Sequence, residues 1–163
     1  MSPTSLGALP NDLPAPLNRC QIKRGVSSAD QGPYNNTVAQ GTAITDGGGN
    51  AMQIAVIPRY RCWWLIRAEM IWRNNDAAWA YYTWYVALSP ADLTGEADDW
   101  NHLCSHSALG WQTSVMDAAY LLEANTAYTA TMRWGYSQGY NQYWYGGPEY
   151  LYIMGELVGE GQA

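Results

Sequence analysis

The sequence predicts an all-β protein, an antiparallel jelly-roll β-sandwich carried by an extended N-terminal arm. Three observations predict it. Seven or eight strand-length runs are separated by turn signals rich in Gly, Asn, Asp and Pro. Two of these runs, residues 62–72 and 79–88, are apolar on both faces. The aromatics are nine Trp and thirteen Tyr with no Phe, residues that pair apolar area with a polar tip and suit half-buried sheet faces and interfaces.

The elements follow in order. Residues 1–19 hold Pro3, Pro10, Pro14 and Pro16 among small and polar residues, which rules out a helix or a sheet interior. This stretch reads as an arm, with Leu6, Leu9, Leu13 and Leu17 spaced to slot into a neighbour's groove. Residues 20–163 read as one domain, a length that suits a single core. Residues 21–26 predict a first short strand, 27–36 a loop, and 37–45 a strand. Asp46-Gly47-Gly48-Gly49-Asn50 is a turn, and 52–56 alternates until Pro58 ends it. The two aromatic strands meet at Asn74-Asn75-Asp76, a hairpin signal. Residues 89–103 read as a long polar connection and 110–116 as a strand. Residues 117–122 suit a short helix or an extended segment, and 123–126 a turn. Residues 127–134 alternate, with Tyr128, Ala130, Met132 and Trp134 inward. Residues 135–148 form a Gly/Tyr/Asn/Gln loop, and 149–158 close the fold.

An antiparallel sheet in a lone soluble domain shows one apolar and one wet face. In the first aromatic strand Trp64, Ile66, Met70 and Trp72 share one side, and Trp63, Leu65 and Ile71 the other. In the second, Trp79, Tyr81 and Tyr85 oppose Tyr82, Trp84, Val86 and Leu88. One small core cannot bury both sides. Trp63, Leu65, Ile71, Tyr82 and Trp84 are therefore the candidate oligomer interface, with a second copy of the chain as partner.

Composition narrows the function classes. The net charge is −6 and Lys23 is the single lysine, so no basic stripe exists to engage phosphates, and nucleic acid is excluded as a partner. No segment reaches the ~18 apolar residues a membrane span needs, and no membrane partner is expected. The first eighteen residues have neither a basic start nor an apolar stretch, so no signal peptide is expected. Cys20, Cys62 and Cys104 are widely spaced and odd in number, which reads as buried free thiols in a reducing compartment.

The chemistry-bearing motifs are weak. His102, Cys104 and His106 would share one face of a strand, and Asp98 or Asp99 could complete a zinc site, but structural zinc ligands usually come in pairs at knuckle spacing. The favoured reading is a polar loop edge, and no cofactor or metal is expected. The Gly-rich turn at 46–50 lacks the Lys and Ser/Thr of a phosphate loop. Asp92, Glu96, Asp98 and Asp99 are spaced too irregularly for a calcium loop and read as a solvated stretch. No Ser-His-Asp set is arguable, and nothing selects a carboxylate pair for glycoside hydrolysis. The chain is not expected to be an enzyme. The best binding candidate is the loop at 136–148, where Tyr136, Tyr140, Asn141, Tyr143, Trp144 and Tyr145 could stack on and hydrogen-bond a glycan. Packing against a neighbouring subunit is the favoured alternative.

The segment Leu122-Glu123-Ala124-Asn125-Thr126-Ala127-Tyr128-Thr129-Ala130-Thr131-Met132-Arg133-Trp134, followed by Tyr152-Ile153-Met154-Gly155-Glu156-Leu157-Val158, resembles the penultimate and final strands of C1q/TNF-like jelly-roll domains in tailed-bacteriophage virion proteins. The resemblance covers roughly residues 37–158. Asn125 stands where that pattern has Gly. It implies a homotrimer about a three-fold axis, a structural role as a head decoration, head fibre or minor tail component, other virion proteins as partners, and a place in the virion after synthesis in the host cytoplasm. The expected function is thus a small trimeric projection anchored by its arm. The alternative is a carbohydrate-binding or host-receptor-binding lectin-like module using the 136–148 loop.

Overall fold

The computed structural model describes residues 20–26, 30–34, 38–74, 80–105, 111–137, 142–145 and 151–159. These residues form ten strands and no helix: β1 (Cys20–Arg24), β2 (Asp30–Tyr34), β3 (Gln53–Val56), β4 (Cys62–Asn74), β5 (Ala80–Ser89), β6 (Asp98–Ser105), β7 (Gln112–Leu122), β8 (Tyr128–Ser137), β9 (Gln142–Tyr145) and β10 (Leu151–Val158).

They make two antiparallel sheets. In the first, β10 lies between β1 and β4, β7 pairs with the other edge of β4, β9 pairs with the last residues of β4, Trp72 to Asn74, and β2 pairs with β9. The second has the order β3-β8-β5-β6. With β2 and β9 set aside, the other eight strands pair in chain order as first–eighth–third–sixth and second–seventh–fourth–fifth. That is a jelly roll, two Greek keys folded face to face, as the sequence predicts.

The core lies between the sheets and follows from alternation. β4 turns Cys62, Trp64, Ile66, Ala68, Met70 and Trp72 inward, and β8 turns Tyr128, Ala130, Met132 and Trp134 to meet them. Trp64, Trp72, Trp84 and Trp134 are all fully buried. The inward set of β8 is the one its sequence predicts.

Several expected elements differ. The aromatic strands do not form a hairpin: β4 belongs to the first sheet and β5 to the second. With the two strands in opposite sheets, Trp64 and Trp72 of β4 share one core with Trp84, Val86 and Leu88 of β5. Residues 27–36 contain β2, and the polar connection at 89–103 contains most of β6. Residues 117–122 are the second half of β7, whose polar Asp117 sits on the solvent side of an alternating strand. The stretch 37–45 is not a full strand. Ala43 bridges Arg133 and Thr45 bridges Ala51, so it continues the β3 edge along β8.

Two loop ends are fixed by buried aspartates. Asp46 opens the Gly-rich turn, in which Gly47 and Gly49 take φ of 86° and 90°, angles that favour glycine. Its carboxylate accepts from the Gly48 and Asn50 amides, from Asn50 Nδ2 and from Lys23 Nζ at 2.7 Å. The turn is therefore clasped to β1. The Asp92 oxygens accept from Thr94 N, Thr94 Oγ1, Glu96 N and Leu121 N. Asp92 is thus a buried staple rather than part of a solvated stretch. Asn125, which stands where the phage-protein pattern has Gly, takes φ of 59°, a left-handed conformation that Asn tolerates better than most residues.

Candidate functional site

The outer side of the β7-β4-β10-β1 sheet is built from the odd-numbered residues of β4. Residues paired across antiparallel strands share a face, so the register arranges this side in rows. The first row is Leu121, Trp63 and Val158. The second is Ala119, Leu65 and Glu156. The third is Asp117, Arg67, Met154 and Ile22. The fourth is Val115, Glu69, Tyr152 and Arg24, and Ile71 pairs with Thr113 below them.

Two rows at one end are mostly apolar. Trp63 is 42 % exposed and Leu65 43 %, large side chains that water alone covers poorly. Below them runs a polar band. Tyr152 Oη donates to Glu69 Oε2 at 2.9 Å, and Arg67 hydrogen-bonds the Tyr152 oxygen. Arg67 also lies 3.7 Å from Asp117. The bond that Arg67 donates to the Tyr152 oxygen, then the Asp117 charge, raises the Arg67 pKa further above its ordinary value. Burial and the bond to Glu69 push the Tyr152 hydroxyl up. The Arg24 guanidinium sits 5.9 Å from the Tyr152 ring centre, within cation–π range. This side of the sheet is therefore a greasy patch bordered by an ordered charged band, a composition suited to binding a protein surface.

The structure brings three of the five sequence candidates onto this face: Trp63, Leu65 and Ile71. Trp84 is corrected. It is fully buried inside the subunit, and its indole N–H donates to Ser114 Oγ at 2.9 Å. Of the outward residues of β5 whose side chains are described, Thr83 is 4 % and Tyr85 7 % exposed within the single chain, so these two present no bare second face. The Tyr82 side chain lies outside the described residues. Sequence reading missed Leu121, Ala119, Met154, Val158, Asp117 and Arg24. The signal was the period-two pattern of 115–121 and 152–158, which becomes a binding face once β7 is read as one strand beside β4.

The loop candidates are partly strand. Tyr143, Trp144 and Tyr145 lie in β9, which pairs with β4 and β2, and Tyr136 lies near the end of β8 opposite Thr83. Pairing of β9 on both edges shortens the proposed binding loop. Tyr140 and Asn141 fall outside the described residues, as do Leu6, Leu9, Leu13 and Leu17 of the arm. His102 and Cys104 lie in β6, while His106 is outside the description. Among the described residues, no three His, Cys, Asp or Glu side chains gather as metal ligands.

No protein-family model matches the chain, and no curated protein matches it. Among solved structures, the chain is similar to that of Eiger TNF from S. frugiperda. The match has a TM-score of 0.51 at 11 % identity and covers 89 % of this chain and 95 % of that one. A second match, an arabinose-bound GH51 α-L-arabinofuranosidase, covers 85 % of this chain but 23 % of that one, with a TM-score of 0.35 and 9 % identity. That score is too low to carry an argument. The first shows the fold alone: the chain shares a jelly-roll fold with that protein.

Proposed function

We propose that this jelly roll is a non-catalytic structural subunit that assembles through the outer face of β7, β4, β10 and β1 into a homotrimer. The observation that carries the reading is the row of Leu121, Trp63 and Val158 beside Leu65, a solvent-facing apolar strip in an otherwise alternating sheet. Covering such a strip gains roughly 25 cal/mol for each Å² of apolar surface removed from water.

The assembly is a projection or decoration of a tailed-phage-like particle, located in the virion and anchored by residues 1–19. That finer reading is supported by the resemblance of residues 122–134 and 152–158 to strands of phage virion proteins. The expected mass in solution is three times the 18.1 kDa of the chain. Light scattering at micromolar concentration that returns a single 18.1 kDa species overturns the assembly. Absence of the protein from purified particles overturns the placement. Removal of residues 1–19 is expected to leave the trimer intact and to abolish incorporation.

A further inference from the structure

The outer face of the first sheet holds a projecting group and a receptive pit side by side. The pit has a volume of about 410 Å³. Leu65 and Met154 line it with apolar surface, and Ala119, which pairs with Leu65 across β7 and β4, leaves it room by carrying only a methyl. Ile66 and Ala118 turn their side chains into the core, so they meet the pit with main chain. Arg67 and Asp117 at its border are already paired with each other, at 3.7 Å. Glu156 also lines the pit, beside Leu65, and its carboxylate has no hydrogen bond or ion pair among the described residues. Trp63 stands two residues before Leu65 on β4, ~7 Å along the strand, outside the pit and 42 % exposed. Among the described residues it is the largest apolar side chain exposed on this face.

A cyclic trimer is held by heterologous contacts, in which a feature of one copy meets a different feature of the next. Such a contact needs a knob and a hole at separate places on one chain, and Trp63 and the pit are that pair. A buried indole also needs an acceptor for its N–H, and the pit offers the Glu156 carboxylate. We infer that Trp63 of one copy seats over Ala119 in the pit of its neighbour, and that its indole N–H donates to Glu156 of that neighbour. The occupant of the pit is thus a second copy of this chain, because one face carries both the knob and the hole that fits it. The inference rests on the assembly reading and names the contact that specifies it.

Filling the pit tests it. Ala119→Leu is expected to raise the dissociation concentration roughly tenfold or more, the effect of losing a buried aromatic anchor. Ala55→Leu makes the same change at an exposed position of β3, in the other sheet, and is expected to stay within about twofold of wild type. In a Trp63→Ala background, Ala119→Leu is expected to add less than about threefold, because no indole is left to exclude. Trp63→Phe keeps a ring and deletes the N–H. Glu156→Ala is therefore expected to weaken wild type about fivefold and the Trp63→Phe variant by less than about twofold. Sedimentation equilibrium reads every variant, and circular dichroism checks that each is folded. Ala119→Gln, a side chain of similar length, takes over if Ala119→Leu misfolds. If Trp63→Ala leaves no assembly in which to read the pit, the cycle of Trp63→Phe with Glu156→Ala decides alone. A loss from Ala119→Leu no greater than from Ala55→Leu, or losses that add in full in the double variants, overturn the seating while leaving an oligomeric wild type in place. A monomeric wild type overturns the assembly reading itself, and the seating with it.

Discussion

The indole N–H of Trp84 on β5 donates to Ser114 Oγ on β7 at 2.9 Å, a hydrogen bond that crosses the core from one sheet to the other. A second link runs the same way, from Tyr120 Oη on β7 to the Val86 carbonyl on β5 at 3.3 Å. Four tryptophans fill this interior, and each brings an N–H that must find an acceptor in a dry environment.

Ser114→Ala deletes the acceptor and leaves the Trp84 N–H buried. The expected loss is ~1–3 kcal/mol of unfolding free energy, read by urea denaturation with an unchanged slope. A loss below about 0.5 kcal/mol would mean that the indole finds another partner, and the bond would not then matter to the join between sheets.

Gly155 lies on β10 where a Cβ would meet Trp64 Nε1 and come within 2.7 Å of Ile54 Cδ1. Neither neighbour can retreat, because both are packed in the core. Gly155→Ala is expected to cost ~1–3 kcal/mol, and less in a Trp64→Leu background that opens the space. Additive losses in the double variant would show that the two residues do not compete for that volume.

Asp46 is buried, and the Lys23 ammonium, aided by the Gly48 and Asn50 donors, holds its carboxyl far below the ordinary carboxylate range against an opposing desolvation penalty. A depressed folded pKa contributes stability that is fully present above the unfolded value, near 3.8, and is lost as pH falls below it. Wild type should therefore lose stability on acidification from about pH 5 downward. Asp46→Asn should be weaker at pH 7 by on the order of 2 kcal/mol and show a flatter acid limb. Thermal melts between pH 7 and pH 2 decide it, and parallel curves for the two proteins would remove Asp46 from the account.

Trp63→Glu and Trp84→Ala separate face from core. Trp63→Glu is expected to dissociate the proposed trimer and leave the stability of the single chain within about 0.5 kcal/mol. Trp84→Ala is expected to cost ~3–5 kcal/mol, because it opens a cavity and orphans Ser114. Size-exclusion profiles and denaturation curves taken together discriminate them, and an oligomer untouched by Trp63→Glu would place the interface elsewhere.

Strand existence was legible where alternation was strong. The inward set of β8 and the two sides of β4 follow from period two alone. Pairing was not legible, because a turn signal such as Asn74-Asn75-Asp76 reports that the chain reverses and not which strand it reaches. Residues 79–88 looked like a second exposed apolar face because the sequence does not show what covers Thr83 and Tyr85. The β9 strand was hidden by its Gly- and Asn-rich flanks, and β6 by the charges at its start. Half of the candidate face was visible, since Trp63, Leu65 and Ile71 lie in one run. The other half comes from β7, β10 and β1, whose neighbours in the sheet are distant in the chain.

The position of β10 also constrains the order in which the fold can be made. It is the last strand described, yet it sits between β1, the first, and β4. While the chain emerges during synthesis, β1 has no sheet to join until residues 151–158 arrive, and one edge of β4 stays open along residues 63–70. The sandwich therefore closes only after translation has passed β10, from contacts of long sequence separation that form slowly. A chain truncated before residue 151 loses the seam between its earliest and central strands, and exposes the pairing edge of β4 to other unfinished copies.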